Sequence, residues 1–172
     1  MGDCQIKTLN SEIEHELLAQ GACLVGFADL KNLSNVTGGL PRGVSIAVAL
    51  GAVVVREISD GPTPAYFAEY KRVNELLARL CEHTVGIVTR LGGRAKASEP
   101  TAEHFDQSTL STPVQHKTIA TRAGLGWIGK SALLITKEYG PAIRLSSVLT
   151  DAELQTGNPT DESRCGDCHR CV

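Results

Sequence analysis

The spacing of apolar and polar positions near the start of the chain predicts one helix followed by two strands. Residues 11–20 are polar apart from a single apolar face, and Gly21 supplies a stop signal for the helix. Residues 22–28 and 44–55 are apolar and β-branched and are bounded by glycine, proline and asparagine, which favours buried strands. We therefore expect a short amphipathic helix beside two buried strands.

The second predicted strand has one face of small side chains. Large and small residues alternate along it, so another element can approach the backbone closely on one side. A packed helix and a flat cofactor both fit such a face, and the packed helix is favoured as the simpler of the two. The small positions are Ser45, Ala47, Ala49 and Gly51.

The longest predicted helix begins at Thr63 and Pro64, a capping hydroxyl followed by proline at the first helical position. An apolar stripe with steps of three and four residues continues from there to Leu91, where two glycines follow. This pattern predicts a single long helix with one buried face.

Shorter elements alternate irregularly in the second half of the chain. Because two late strands lie only a turn apart, an α+β sandwich with a mixed β-sheet flanked by helices fits better than a doubly wound parallel fold. The predicted elements are a strand at 94–97, an irregular segment at 99–112, a helix at 113–123, strands at 132–136 and 144–150, and a polar linker at 151–164.

Length and charge limit the classes of function. The 172 residues suit one domain of ordinary size. A net charge of -2, from 17 basic and 19 acidic residues, gives no sign of the basic surface that nucleic acids need, so a tRNA would have to find a local patch. No membrane-length apolar run or charged leader occurs, so we expect a cytoplasmic protein with no membrane partner.

A glycine-rich stretch, Gly-Leu-Gly-Trp-Ile-Gly-Lys-Ser at 124–131, satisfies the spacing of both the phosphate loop and the dinucleotide-binding loop. Both of those loops need a strand before them and a helix after them, because the start of the helix binds the phosphate. Here a predicted helix precedes the stretch and a predicted strand follows it. Nucleotide binding is therefore disfavoured.

The same stretch remains a candidate binding turn. Three glycines and the only tryptophan of the chain lie within six residues, which favours close approach of a planar ligand or of another domain. The alternative is a helix cap with the tryptophan packed in the core. The candidate cofactor-binding residues are Gly124, Gly126, Trp127, Gly129, Lys130 and Ser131.

Three of the six cysteines, Cys165, Cys168 and Cys171, recur at every third residue. This C-x2-C-x2-C spacing opens the ferredoxin run that binds a 4Fe–4S cluster, so these three are candidate metal ligands. A zinc site is the rival, but a third cysteine after only two residues is unusual for zinc. The isolated Cys23 and Cys81 are expected to be small core residues.

The chain ends at Val172, before the fourth cysteine of the ferredoxin run. We therefore expect an incomplete 4Fe–4S site in a chain truncated within its first cluster motif. The expected organisation is one domain over residues 1–151, followed by a linker and the start of a ferredoxin-like domain over residues 152–172.

The string His-Lys-Thr-Ile-Ala-Thr-Arg-Ala-Gly-Leu-Gly-Trp-Ile-Gly-Lys-Ser at 116–131, followed by Leu-Thr-Asp at 149–151 and Cys-Gly-Asp-Cys at 165–168, closely resembles the epoxyqueuosine reductase family and its double-cluster relatives. The resemblance is strong over the last third of the chain. It implies a nitroreductase-like cobalamin domain, related to those of reductive dehalogenases, followed by 4Fe–4S clusters that deliver electrons to the cobalamin. The implied substrate is a small molecule or a modified nucleoside.

One position departs from the family. Its members carry an acidic residue, thought to protonate the leaving oxygen, where this chain has Leu110. Tyr66, Glu69, His104 and Asp106 are the candidates to replace it.

The resemblance favours an iron–sulfur oxidoreductase with a cobalamin-type cofactor and an unknown substrate. One alternative is a non-catalytic electron-transfer module that serves a redox partner protein. The other is a flavin-dependent reductase that binds FMN on the same fold.

Overall fold

The computed structural model describes residues 3–33, 35–98 and 114–171. The segment predicted to be irregular at 99–112, with Leu110, His104 and Asp106, lies outside the described residues. The helices are α1 (Asp3–Ala19), α2 (Ala52–Arg56), α3 (Pro64–Arg90) and α4 (His116–Arg122), with a 3-10 turn at Lys31–Leu33; the strands are β1 (Leu24–Asp29), β2 (Arg42–Ala49), β3 (Ala95–Ser98), β4 (Trp127–Ile128), β5 (Leu134–Ile135) and β6 (Ile143–Thr150).

Four strands form the main sheet in the order β1-β2-β6-β3. Val44 of β2 is paired with Phe27 of β1 on one side and with Val148 of β6 on the other. The predicted α+β class is confirmed, but the strand pairs of the described sheet are all antiparallel, where a mixed sheet was predicted.

Helices α1 and α3 cover one face of this sheet. Thr63 caps α3 as predicted, because its hydroxyl accepts a hydrogen bond from the Tyr66 amide at 3.1 Å. The predicted apolar stripe of α3 is buried, with Val73, Leu77 and Leu80 fully enclosed against the large side chains of β2. Burial of the stripe is the main stabilising contribution of the longest helix.

Cys81 belongs to this core and is not a ligand. It is buried, and its thiol lies 3.2 Å from the Ser146 hydroxyl. Burial raises the pKa of the Cys81 thiol to about 11, so the group stays neutral. The prediction of a core role is confirmed for Cys81, whereas Cys23 is only half-buried.

Helix α4 packs on the opposite face of the sheet, where β2 presents its small residues. A Cβ on Gly43 would lie 2.8 Å from the Ile119 side chain of α4, so only glycine lets the helix come this close. Ser45 and Ala47 on the same face are fully buried. The packed helix expected on this face is therefore confirmed at the Gly43 end.

One predicted strand boundary is wrong. The strand predicted at 44–55 ends at Ala49, and α2 follows it, because the Glu69 carboxylate accepts a hydrogen bond from the Gly51 amide at 2.9 Å and fixes a bend there. The two late strands, β5 and β6, were predicted to be joined by a turn, and a turn does lie between them. In the structure β5 pairs with β4 in a separate hairpin, and β6 joins the main sheet.

The segment predicted as a linker, residues 151–164, lies along the domain and is called the strap below. Ala152 and Leu154 are buried, and the Gly157 amide donates to the Phe27 carbonyl of β1 at 2.8 Å. The Thr160 amide donates to the Thr121 carbonyl of α4 at 2.9 Å. The strap therefore holds the cysteines that follow it at a fixed edge of the domain.

Within the described part of the chain, no helix combines the length and the apolarity that crossing a lipid bilayer would need.

Candidate functional site

The predicted binding turn begins where α4 ends. Gly124 adopts the left-handed φ of +78°, and a Cβ there would lie 2.7 Å from the carbonyl oxygen of Asn158 in the strap. Glycine is required at this position both by conformation and by space. The end of α4 and the strap are therefore packed backbone against backbone.

The turn then forms the β4–β5 hairpin, in which Trp127 pairs with Ile135. A Cβ on Gly126 would lie 2.1 Å from the Ile135 carbonyl oxygen, and one on Gly129 would lie 2.7 Å from the Ile135 side chain. The close approach predicted from the three glycines is thus made by the protein itself. Of the predicted cofactor-binding residues, Gly124, Gly126 and Gly129 shape the turn.

The geometry of the turn agrees with the prediction that it does not bind a nucleotide. Gly129 and Lys130 are followed by bends and by β5, so their amides do not begin a helix that would bind a phosphate. Lys130 is exposed and Ser131 is half-buried. The side chains of Lys130 and Ser131 are therefore accessible to a ligand.

The Lys130 side chain connects the turn to the cysteines. Its ammonium group donates to the carbonyl oxygen of Gly166 at 2.8 Å and to that of Cys168 at 2.9 Å. The same nitrogen lies 3.5 Å from Nε2 of His169. A Cβ on Gly129 would lie 3.6 Å from the Cys165 sulfur, so the turn and the first cysteine are in direct contact. The two motifs form one site.

Several donors converge on the Cys165 thiol. The Ser163 hydroxyl, the Lys130 backbone amide and the Trp127 indole together hold the pKa of Cys165 below its usual range, in that order of effect. The Trp127 indole nitrogen is buried and makes no hydrogen bond among the described residues, so it approaches the sulfur without reaching hydrogen-bonding geometry. The surroundings of Cys165 therefore favour the thiolate form, which is the form that binds metals.

The other two predicted ligands are exposed. Cys168 and Cys171 lie on the surface, and the Cys168 amide donates to the Cys165 carbonyl at 3.1 Å in a tight turn. Among the residues that the structure describes, no three His, Cys, Asp or Glu side chains gather around one point as a metal ion requires. The chemistry of the donor set fits a thiolate-bound cluster, while the three sulfur atoms do not converge on a common centre.

Glu69, one of the candidates to replace the missing acid, is engaged elsewhere. It hydrogen-bonds Arg72 at 2.7 and 2.8 Å, and this contact, with the Gly51 amide, holds the pKa of Glu69 below its usual range. A carboxylate that stays ionised cannot donate a proton near neutral pH. Tyr66 lies in the first turn of α3, where its backbone amide donates a hydrogen bond to the capping hydroxyl of Thr63.

Sequence reasoning did not single out His116 or Arg164. The Nδ1 atom of half-buried His116 lies 2.5 Å from the Ser147 hydroxyl, on the small-residue face of the sheet. The Arg164 guanidinium lies 5.9 Å from the centre of the Trp127 ring. Both contacts join residues far apart in the chain, and the sequence carries no local signal for either.

No family model matches the chain. Curated relatives do match parts of it. The chain is 50% identical over 60 residues to an epoxyqueuosine reductase of Gloeobacter violaceus, covering 35% of this chain and 18% of that protein. It is 32% identical over 122 residues to an epoxyqueuosine reductase of Vibrio cholerae, covering 67% of this chain and 29% of that protein. The chain thus spans less than a third of the length of these two curated relatives.

Solved structures confirm the fold. The epoxyqueuosine reductase of Bacillus subtilis matches with a TM-score of 0.67 at 16% identity, over 96% of this chain and 51% of that one. An epoxyqueuosine reductase bound to an epoxyqueuosine-modified tRNA stem loop matches at 0.63 and 19% identity, over 95% and 50% of the two chains. A reductive dehalogenase described in terms of B12-dependent dehalogenation matches at 0.64 and 21% identity, over 88% and 21%.

The relatives share sequence with this chain, and the solved structures share its arrangement of helices and antiparallel sheet. The resemblance that the sequence predicted is thereby confirmed, and the chain is related to the epoxyqueuosine reductases over a segment of those longer proteins.

Proposed function

We propose that the protein is an iron–sulfur oxidoreductase of the epoxyqueuosine reductase type, in which Cys165, Cys168 and Cys171 bind a 4Fe–4S cluster beside a cobalamin-type cofactor. One observation carries the proposal: the Trp127 turn and the cysteine segment form a single site, held together by the two hydrogen bonds of Lys130. In this proposal residues 1–151 form the cofactor domain and residues 152–172 begin the cluster-binding part.

The surroundings of Cys165 support thiolate ligation. Donors from Ser163, Lys130 and Trp127 stabilise a negative sulfur, and structural cysteines such as Cys81 are instead buried and neutral. The C-x2-C-x2-C spacing is that of cluster-binding ferredoxins. Cys165 and Cys81 thus differ both in spacing and in environment.

The cofactor proposal rests on the fold and on the shape of the turn. A likeness to a reductive dehalogenase whose chemistry is described as B12-dependent favours cobalamin over a nucleotide. Other residues of the chain occupy the space beside the three glycines of the turn. The residues that would face the cofactor are therefore Trp127, Lys130 and Ser131. When bound, the cluster supplies single electrons and the cobalamin supplies a reducing cobalt centre.

The chain's own residues hold and orient these groups. The strap fixes the cysteine segment to α4 and β1, and the Ser163 hydroxyl and the Lys130 amide lower the pKa of Cys165 and so favour its thiolate form. Holding and orienting the cofactors in this way does not require any residue of the described site to donate a proton.

For the substrate we propose a small molecule or a modified nucleoside. One solved relative is bound to a tRNA stem loop that carries epoxyqueuosine, which supports the nucleoside. The net charge of -2 gives no general affinity for the tRNA backbone, so recognition would rest on the base and a local patch. Electrons would come from a redox partner protein.

The test is anaerobic reconstitution of the protein with iron, sulfide and cobalamin. We expect about four iron atoms per chain, the broad visible absorbance of a 4Fe–4S cluster, and additional cobalamin bands. A Cys165→Ser variant should lose the iron, whereas Cys23→Ser, which changes a half-buried cysteine outside the motif, should retain it.

Other outcomes identify the alternatives. A protein that purifies yellow with bound flavin would favour the FMN-dependent reductase, and a cluster without any cobalamin or flavin would favour the electron-transfer module. A colourless protein that takes up no iron would overturn the proposal.

A further inference from the structure

We propose that Lys130 is a positioning residue for the cysteine segment, and that its charge raises the reduction potential of the cluster bound there. The inference rests on the proposed function. It concerns a residue that lies outside the cysteine motif and 35 positions before its first cysteine in the printed sequence.

The ammonium group of Lys130 bridges two backbone carbonyl groups. An ammonium group has three donors, and two of them are used on the carbonyl oxygens of Gly166 and Cys168, which both belong to the first turn of the motif. An exposed lysine without such partners would be bound only by water. The carbonyls would otherwise point into solvent, so Lys130 sets the direction of the turn that carries the sulfur atoms.

The base of the lysine is itself held in place. The Gly129 amide donates to the Leu133 carbonyl, and the Ala132 amide donates back to the Gly129 carbonyl, both at 2.9 Å. Lys117 of α4 adds a hydrogen bond to the Ala132 carbonyl at 2.9 Å. Because the loop between β4 and β5 is closed by these bonds, Lys130 presents its charge from a rigid position.

The charge acts directly on a reducible group. Reduction adds one electron to a cluster and makes it more negative, so a nearby positive charge stabilises the reduced form and raises the potential. Hydrogen bonds that fix the ligand loop act on retention of the metal instead, and losing such a contact typically weakens metal affinity by about 10- to 100-fold. Lys130 combines both effects, and the two can be measured separately.

The experiment compares three variants after anaerobic reconstitution. Lys130→Met removes the charge and the donors while keeping the length of the side chain, Lys130→Arg keeps the charge, and Lys137→Met removes an exposed lysine of the turn after β5. Iron release to a chelator gives retention, and dithionite titration followed by electron paramagnetic resonance gives the midpoint potential.

We expect Lys130→Met to release iron about tenfold faster or more and to titrate at a more negative potential than the unmodified protein. Lys130→Arg should keep a midpoint potential close to that of the unmodified protein. Lys137→Met should match the unmodified protein in both iron release and midpoint potential. Circular dichroism checks folding, and Lys130→Gln carries the same prediction if Lys130→Met does not fold.

Either measurement left unchanged in Lys130→Met, or in its replacement Lys130→Gln, overturns the inference. Such a result would leave the proposed function intact, because the unmodified protein would still hold its cluster. Failure of the unmodified protein to bind iron would instead overturn the proposed function.

Discussion

Replacing Gly124 by alanine tests whether the strap is fixed to the end of α4. Alanine in the left-handed conformation of this residue costs about 1–2 kcal/mol. The new Cβ would also lie 2.7 Å from the Asn158 carbonyl oxygen, which belongs to backbone and cannot rotate away. Overlap of this kind costs a further 1–3 kcal/mol, roughly, so we expect a total loss of about 2–5 kcal/mol in the free energy of unfolding.

Two other glycines separate these contributions. Gly140 has a φ of +56° with no atom within 4 Å of the position of its Cβ, so Gly140→Ala should lose only the conformational part, about 1–2 kcal/mol. Gly86 lies inside α3 with open space around it, so Gly86→Ala should stabilise the protein by about 0.5–1 kcal/mol.

The assay is equilibrium unfolding in urea, followed by circular dichroism, on the three variants and the unmodified protein. The reasoning is refuted if Gly124→Ala unfolds with the same free energy as Gly140→Ala. In that case the strap would move away from α4 without loss, and the cysteine segment could not be described as held by the domain.

Three further results are expected. The pKa of Cys81 in the folded protein, about 11, lies above the usual 9.0, so its contribution to stability is present below pH 9 and is lost at higher pH. We expect the free energy of unfolding to fall by about 2–3 kcal/mol as pH rises from 9 to 11. The Cys81→Ala variant should lack this fall. In the metal-free protein, iodoacetamide should modify Cys165 at a lower pH than an unperturbed thiol, and Ser163→Ala should move that pH–rate profile upward, which peptide mass spectrometry would measure. Arg94 donates two hydrogen bonds to the Asp151 carboxylate at 2.6 Å and lowers the pKa of Asp151. The stabilisation from this pair is therefore present above pH 3.8 and is lost as pH falls through the lowered pKa. Asp151→Asn should lower the free energy of unfolding in urea by about 1 kcal/mol at pH 7.

The sequence predicts elements well where local signals decide them. Helix α3 is the clearest case, since Thr63 caps it and an even apolar stripe runs along it. The boundary after Ala49 was missed because three valines in a row favour a strand as much as a short helix. The bend there depends on Glu69, 18 residues further along the chain, and no local pattern contains that contact.

The candidate site shows the same division. The cysteine spacing and the glycine-rich turn were both visible in the sequence, but their contact through Lys130 was not. The three glycines were interpreted as a close approach of a planar ligand or of another domain, and the atoms that lie closest to Gly124 and Gly126 belong to Asn158 and Ile135 of the chain itself. A glycine in the sequence indicates that another group approaches the backbone closely, and the fold is needed to identify that group.

The strap explains why polarity alone misplaced the edge of the domain. Its side chains are mostly polar, which favours a linker. Beyond the buried Ala152 and Leu154, however, it is anchored by the backbone amides of Gly157 and Thr160, and every residue other than proline has an amide. Such anchoring leaves no mark on composition. Because the strap ends at the cysteine segment, a fixed strap also fixes the distance between Cys165 and the Trp127 turn. A ligand-binding loop on a mobile linker would need the cluster to order it, whereas this one is also held by the hydrogen bonds of Lys130 and by the strap.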